Sequence, residues 1–173
     1  MKRIYFSILS FFLFSTTLLF GAEYTIETVP NVHLQNAKAY VSNPDAILSP
    51  STEQQINLLL DSLQTKTSAE IAVVAVNSIG DADIKQFATA LFEHWGIGKR
   101  EKDNGLLILF VLDQRKITFE TGYGLEGILP DAICKRIQTR YMLPEFKTGN
   151  YDKGMLQGLN AIHHRLSTPE AQD

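Results

Sequence analysis

The chain has 173 residues, with 16 Lys and Arg against 19 Asp and Glu, a net charge of −3, and 45% apolar residues. That balance fits one ordinary globular domain and excludes a disordered chain, a collagen and a disulfide scaffold. It also lacks the basic excess of a nucleic-acid binder, and the single cysteine, Cys134, excludes an internal disulfide and a cysteine zinc cluster.

Lys2 and Arg3 precede an apolar run over residues 4–20 that closes on Gly21 and Ala22. A basic start, a short apolar stretch and small residues at its end predict a secretory signal peptide over residues 1–22. The competing reading is an uncleaved anchor. At 17 residues the run lies at the low end of the roughly 17–25 needed to span a bilayer. No cysteine follows it, which argues against a lipoprotein. The expectation is export to a periplasm or the extracellular space, with no membrane span in the mature chain. Removing Lys2 and Arg3 leaves that chain more acidic.

Residues 23–39 show no sustained period and are expected to form an extended lead-in that can add an edge strand. Residues 40–166 form the expected domain, and 167–173 a tail. Ser49 followed by Pro50 reads as an N-cap with proline at the first helical position. Ile56, Leu59, Leu60 and Leu63 then repeat at helical spacing, with an end near Lys66. Residues 71–76 (IAVVAV) are a continuous β-branched run, the pattern of a strand covered on both faces. Asp81 or Asp83 caps a second helix whose stripe is Ile84, Phe87, Ala88, Leu91, Phe92 and Trp95, and Gly96-Ile97-Gly98 stops it.

After a charged loop at 99–104, residues 106–112 (LLILFVL) form a second apolar strand. Residues 116–120 alternate, with Ile117 and Phe119 on one face, and predict a half-covered strand paired antiparallel to it. Residues 132–141 and 151–166 read as two further helices, the second with Met155, Leu159 and Ile162 on one face. The order helix, strand, helix, strand, strand, helix, helix implies an α/β fold: a three-layer α/β/α sandwich, with a central mixed sheet and helices on both faces. Cys134 falls within an apolar helical pattern and is expected to act as a small buried hydrophobe.

A turn at Gln114-Arg115 pairs Leu112 with Ile117 and Phe110 with Phe119, and carries Gly105 to a place opposite Gly124. The segment Asp103-Asn104-Gly105 is therefore expected beside residues 122–127. Asp103, Asn104, Glu126 and Asp131 would then gather at one end of the sheet. Hard oxygen donors among glycines suit Ca2+ or Mg2+ and not zinc. The competing reading is ordinary turn chemistry at Asp-Asn-Gly and a helix cap at Asp131. His94, His163 and His164 read as solvated or packing residues. No G-x-S-x-G, H-E-x-x-H or P-loop is present, and the G-x-G-x-x-G spacing at 122–127 follows an antiparallel strand, which excludes a dinucleotide fingerprint.

Six motifs in order carry a resemblance: Asn43-Pro44-Asp45-Ala46-Ile47-Leu48-Ser49, Trp95-Gly96-Ile97-Gly98, Asp103-Asn104-Gly105, Gly122-Tyr123-Gly124-Leu125-Glu126-Gly127, Leu129-Pro130-Asp131, and the closing Pro144-x-Phe146-x-x-Gly149-x-Tyr151-x-x-Gly154. Together they resemble the TPM domain family. Asn43 departs from the family pattern, where Asp is common, and this weakens a charged ligand role there.

The resemblance implies an exported or lumenal α/β/α sandwich that binds calcium, with Asp103, Asn104, Glu126 and Asp131 at the positions of its cation-site residues. Relatives include a thylakoid-lumen protein linked to photosystem repair and reported as an acid phosphatase, bacterial envelope proteins, and modulators of a receptor channel. Many bacterial members add a membrane segment and a Gly-rich tail. This sequence carries neither, and is expected to be soluble once released. Two function classes follow: a Ca2+-binding envelope factor acting on a protein partner in assembly or maintenance, and a metal-assisted acid phosphatase. The sequence shows no Ser, Cys or His nucleophile with a partner, and no Arg in the acidic loops.

Overall fold

Ser49 and Pro50 open the first helix as their chemistry requires: in the computed structural model, which describes residues 22–168, the Ser49 hydroxyl accepts the Thr52 N–H. That helix, α1 (Pro50–Thr67), buries Ile56, Leu60 and Leu63 on one stripe and ends on Ser68 in the left-handed conformation, φ 63°. Apart from Ala22, the expected signal peptide lies outside the described residues, as do residues 169–173 of the tail. Among the described residues no helix is long and apolar enough to cross a membrane.

The sheet has four strands in chain order: β1 (Val41–Ser42), β2 (Glu70–Val76), β3 (Gly105–Val111) and β4 (Lys116–Thr121). The first three run parallel, and β4 returns antiparallel to β3. The lead-in is not extended throughout but turns at residues 25–29 and forms a 3-10 helix at Val32–Leu34. It adds one bridge, Glu23 to Ser78, and the edge strand itself is the two-residue β1.

Every residue of β3 is buried, because helices cover both faces of the sheet. On one face Ile71, Val73 and Ala75 of β2 and Leu106, Ile108 and Phe110 of β3 meet α1, α3 (Asp131–Ile137) and α5 (Tyr151–Ser167). On the other, Val74 and Val76 with Leu107, Leu109 and Val111 meet Ile84, Phe87, Ala88 and Leu91 of α2 (Ile84–Trp95). Asp83 caps α2 through the Lys85 and Gln86 amides, and Gly96 ends it at φ 62°. The α/β/α sandwich is the observed architecture.

Two further local expectations are corrected. The turn between β3 and β4 spans Leu112 to Arg115, with the Arg115 N–H donating to Leu112 O and Arg115 at φ 51°. A two-residue turn with both central residues at positive φ strongly prefers Asn-Gly or Asp-Gly, and Gln114-Arg115 supplies neither. Ile117 therefore pairs with Phe110 and Phe119 with Ile108. The offset is two residues, an even number, so no side chain changes face.

The second correction concerns residues 138–142. They form a π-turn between α3 and the short α4 (Leu143–Phe146) and do not simply extend α3. Met142 and Phe146 from this segment pack onto Gly154 and Gly158 of α5.

Candidate functional site

The observed register places Gly105 opposite Gly122, whose N–H donates to Gly105 O at 2.9 Å. Asp103, at φ 46°, closes the preceding turn by donating its N–H to Lys99 O at 2.7 Å. Its own carbonyl accepts the Gly124 N–H at 2.9 Å, and its Oδ2 accepts the Tyr123 N–H at 2.9 Å. The approach is close enough to demand glycine. A Cβ on Gly122 would fall 2.2 Å from Asp103 O, and one on Gly124 would fall 1.9 Å from Lys102 O. Residues 103–105 thus lie against residues 122–124.

The four candidate residues occupy different settings on this frame. Asp103 is exposed, with Oδ2 engaged by Tyr123. Asn104 is buried, and its amide is spent: Oδ1 accepts the Lys99 N–H at 3.0 Å, while Nδ2 donates to Ser68 O at 2.9 Å and Ser68 Oγ at 3.2 Å. It joins the end of α1 to the start of β3.

Glu126 is exposed at the end of a 3-10 turn over Tyr123–Leu125. Asp131 is the first residue of α3, makes no capping hydrogen bond, and takes the favourable end of the helix dipole. It lines a groove of about 500 Å³ along β4, together with Lys85, Arg115, Lys116 and Lys135. Among the described residues no three His, Cys, Asp or Glu side chains group closely enough to hold one ion.

The fit to a hard cation is therefore uneven. Asp103 and Glu126 offer exposed carboxylates on adjoining loops, the donor type that Ca2+ takes. Asn104 does not fit, because its oxygen is buried and holds a backbone amide. The groove at Asp131 was invisible in the sequence. Its four cations come from α2, the hairpin turn, β4 and α3, and no spacing rule links those positions.

Cys134, Asn43 and Asp45 are engaged within the fold. Burial, and after it the Asp131 charge, pushes the Cys134 thiol up to about 11, and its Sγ–H donates to Leu129 O at 3.3 Å. Burial, then Lys66 and His164, lowers the His163 pKa. Asn43 organises the turn before α1: Oδ1 accepts the Ile47 and Leu48 amides, and Nδ2 donates to Leu48 O and to Glu53 Oε1. Donation from this side chain is something an aspartate could not supply. Asp45 binds the loop to the end of β2 by accepting the Asn77 N–H at 2.7 Å.

A family model described as the TPM domain, and labelled TPM phosphatase, matches residues 41–165, well over half of the chain. The chain belongs to the TPM domain family. Among solved structures it is similar to the N-terminal domain of a protein from P. gingivalis, at 41% identity and a TM-score of 0.79, over 84% of this chain and 92% of that one. The BA42 protein of the psychrophilic bacterium Bizionia argentinensis has the same fold at 20% identity and a TM-score of 0.62, over 73% of this chain and 86% of that one. The N-terminal domain of a Corynebacterium glutamicum protein follows at 15% and 0.60, over 82% and 86%. No protein of curated function matches the sequence. Family and fold of this TPM domain are thereby established together.

Proposed function

We propose that this TPM-domain chain is an exported envelope factor that takes up a divalent cation, Ca2+ ahead of Mg2+, at the loops carrying Asp103 and Glu126. The loaded surface engages an envelope protein in assembly or maintenance. One observation carries this reading: the backbone bonds from Gly122 N–H to Gly105 O and from Gly124 N–H to Asp103 O hold two exposed carboxylates, Asp103 and Glu126, on adjoining loops. Flexible backbone and hard oxygen donors are the combination that Ca2+ sites use. Asn104 supports the site from behind by fixing the loop to Ser68, and is not assigned as a ligand.

The test is a titration of the purified protein with CaCl2 and MgCl2, read by melting temperature, with EDTA as control. A ligand that binds only the folded state adds about 2.7 kcal/mol at a hundred times its Kd. The melting temperature is expected to rise with Ca2+ and to stop responding in Asp103→Asn/Glu126→Gln, which keeps the bond to the Tyr123 amide. An unresponsive wild-type protein removes the proposal.

A second reading, phosphomonoester hydrolysis, is supported by the groove at Asp131. Arg115, Lys116 and Lys135 can hold a phosphate there, Lys85 being engaged by the Glu120 carboxylate at 2.6 Å and by Phe119 O, and Asp131 can position water. Cys134 takes no part as a nucleophile, since its thiol stays protonated at neutral pH. A chromogenic phosphomonoester assayed with Ca2+, Mg2+ and EDTA decides it. Turnover that falls at least about a hundredfold in both Arg115→Ala and Asp131→Ala supports the enzyme. Turnover that ignores both, or is absent, removes it.

A further inference from the structure

A cavity of about 210 Å³ opens where the sheet is left incomplete. β1 pairs only with Val73 and Val74, so the first residues of β2, from Glu70 to Ala72, have no strand beside them on that side. The space is bounded by His33 and Leu34 of the lead-in, Tyr40, Gln64 near the end of α1, and Trp95 and Ile97 at the end of α2. It shares no residue with the loops at 103–105 and 122–127.

Among the described residues, two buried side-chain polar atoms lack any hydrogen-bond partner, Ser42 Oγ and Gln64 Oε1. Both residues line this one cavity, and Ser42 is 1% exposed. Buried polar atoms are nearly always paired, and each unpaired one destabilises the folded chain. Two in the same cavity mark a place where a ligand completes the structure.

The chemistry of the lining selects the ligand. Gln64 Oε1 accepts only, and Ser42 Oγ both accepts and donates. Glu70 uses Oε2 to accept the Gly98 N–H at 2.9 Å, and among the described residues no protein donor reaches its Oε1. No Lys or Arg lines the space. The other walls include Ile71, Ala72 and Ile97 beside the Asn31 side chain and the rings of His33, Tyr40 and Trp95; the apolar residues suit an apolar body, and the aromatic faces favour a cation.

Acceptors, a carboxylate and aromatic walls without a lysine or arginine among them call for a ligand that donates and is positive. The volume equals about seven liquid waters, which fits one ring or a short alkyl chain and excludes a peptide or a dinucleotide. We propose that this cavity binds a small organic ammonium ion, a protonated primary amine on an apolar body.

Trp95 is the single tryptophan of the chain and lines the cavity, so its emission reports occupancy directly. The purified protein is titrated with phenethylamine and hexylamine, and with 2-phenylethanol as the uncharged analogue. A saturable change in emission is expected for the amines, with the alcohol about tenfold weaker. Glu70→Gln and Gln64→Leu are each expected to weaken amine binding about tenfold, and circular dichroism melts check that they stay folded. Glu70→Gln retains an oxygen for the Gly98 amide, which protects the fold. Ser42→Ala, which deletes an unpaired buried hydroxyl, is expected to melt no lower than wild type while binding amine more weakly. The proposal is overturned if neither amine saturates, if the alcohol binds as well as the amine, or if all three folded variants bind like wild type.

Discussion

Asp103 Oδ2 accepts the Tyr123 N–H at 2.9 Å, and the Asp103 carbonyl accepts the Gly124 N–H at the same distance. One residue in the left-handed conformation, φ 46°, thereby ties the loop before β3 to the loop after β4. Asp103→Ala loses the side-chain bond and leaves alanine in a conformation that favours Gly, Asn and Asp. The expected loss is about 1–2 kcal/mol. Asp103→Asn keeps an acceptor and tolerates the φ, so it should stay within about 0.5 kcal/mol of wild type. Urea unfolding of the three proteins checks this and separates the structural part of Asp103 from its charge.

The elements legible in the sequence are those where one local rule decides. Ser49-Pro50 and Asp83 open helices, Gly96 closes one, and the apolar runs in β2 and β3 name strands with both faces covered. The hairpin register was less accessible, because it depends on Arg115 accepting φ 51°, which no propensity announces. The π-turn at Gln138–Met142 was not visible either, since the residues around it keep an ordinary helical pattern.

The candidate site divides in the same way. Asp103 beside residues 122–124 followed from strand pairing alone. The inward turn of Asn104 depended on Ser68, a residue 36 positions away. The groove at Asp131 required α2, the hairpin and α3 to meet, a tertiary fact with no sequence period.

Asn43 is engaged by four polar groups at once, two amides donating to it and two oxygens accepting from it. Asn43→Asp preserves the acceptor side and reverses the donor side. A carboxylate oxygen then faces Leu48 O and the Glu53 carboxylate with no proton between them. The expected cost is about 1–3 kcal/mol. Adding Glu53→Gln returns an N–H donor to the pair, so the double variant should recover part of that loss. A double-mutant cycle by chemical denaturation measures the coupling, and additive losses would show that Asn43 and Glu53 do not communicate.

Cys134 gives the chain an alkaline stability limit of defined sign. The buried thiol is raised from an ordinary 9.0 to about 11, by burial first and by Asp131 second. A raised folded pKa means that the unfolded chain loses its proton first. The contribution is intact below pH 9 and fades as pH rises from 9 through 11, by about 2–3 kcal/mol in all. Stability measured at several pH values should therefore fall more steeply in wild type than in Cys134→Ala across this window. Equal slopes would show that the thiol is ionised as readily in the folded chain as in the unfolded one. At pH 8 the native protein should also react with a thiol reagent only as fast as it unfolds.

Gly154 on α5 faces the Phe146 ring, and a Cβ added there would lie 2.6 Å from Phe146 Cδ1 and 2.9 Å from Met142 O. Neither neighbour can retreat. Phe146 packs against Phe110 and Tyr151 with ring centroids 4.7 and 5.7 Å away, and Met142 O is backbone. Alanine would ordinarily strengthen a helix interior by about 1 kcal/mol over glycine. Overpacking costs about 1–3 kcal/mol and is expected to win here. Gly154→Ala should therefore lower the stability by up to about 2 kcal/mol net of propensity. Gly127→Ala is the control, since a Cβ there meets nothing within 4 Å and the position is not at positive φ. It should be neutral or slightly stabilising through the unfolded chain. If thermal melts place both variants on the same side of wild type, the close approach of α5 to the π-turn and α4 is not what selects glycine at position 154.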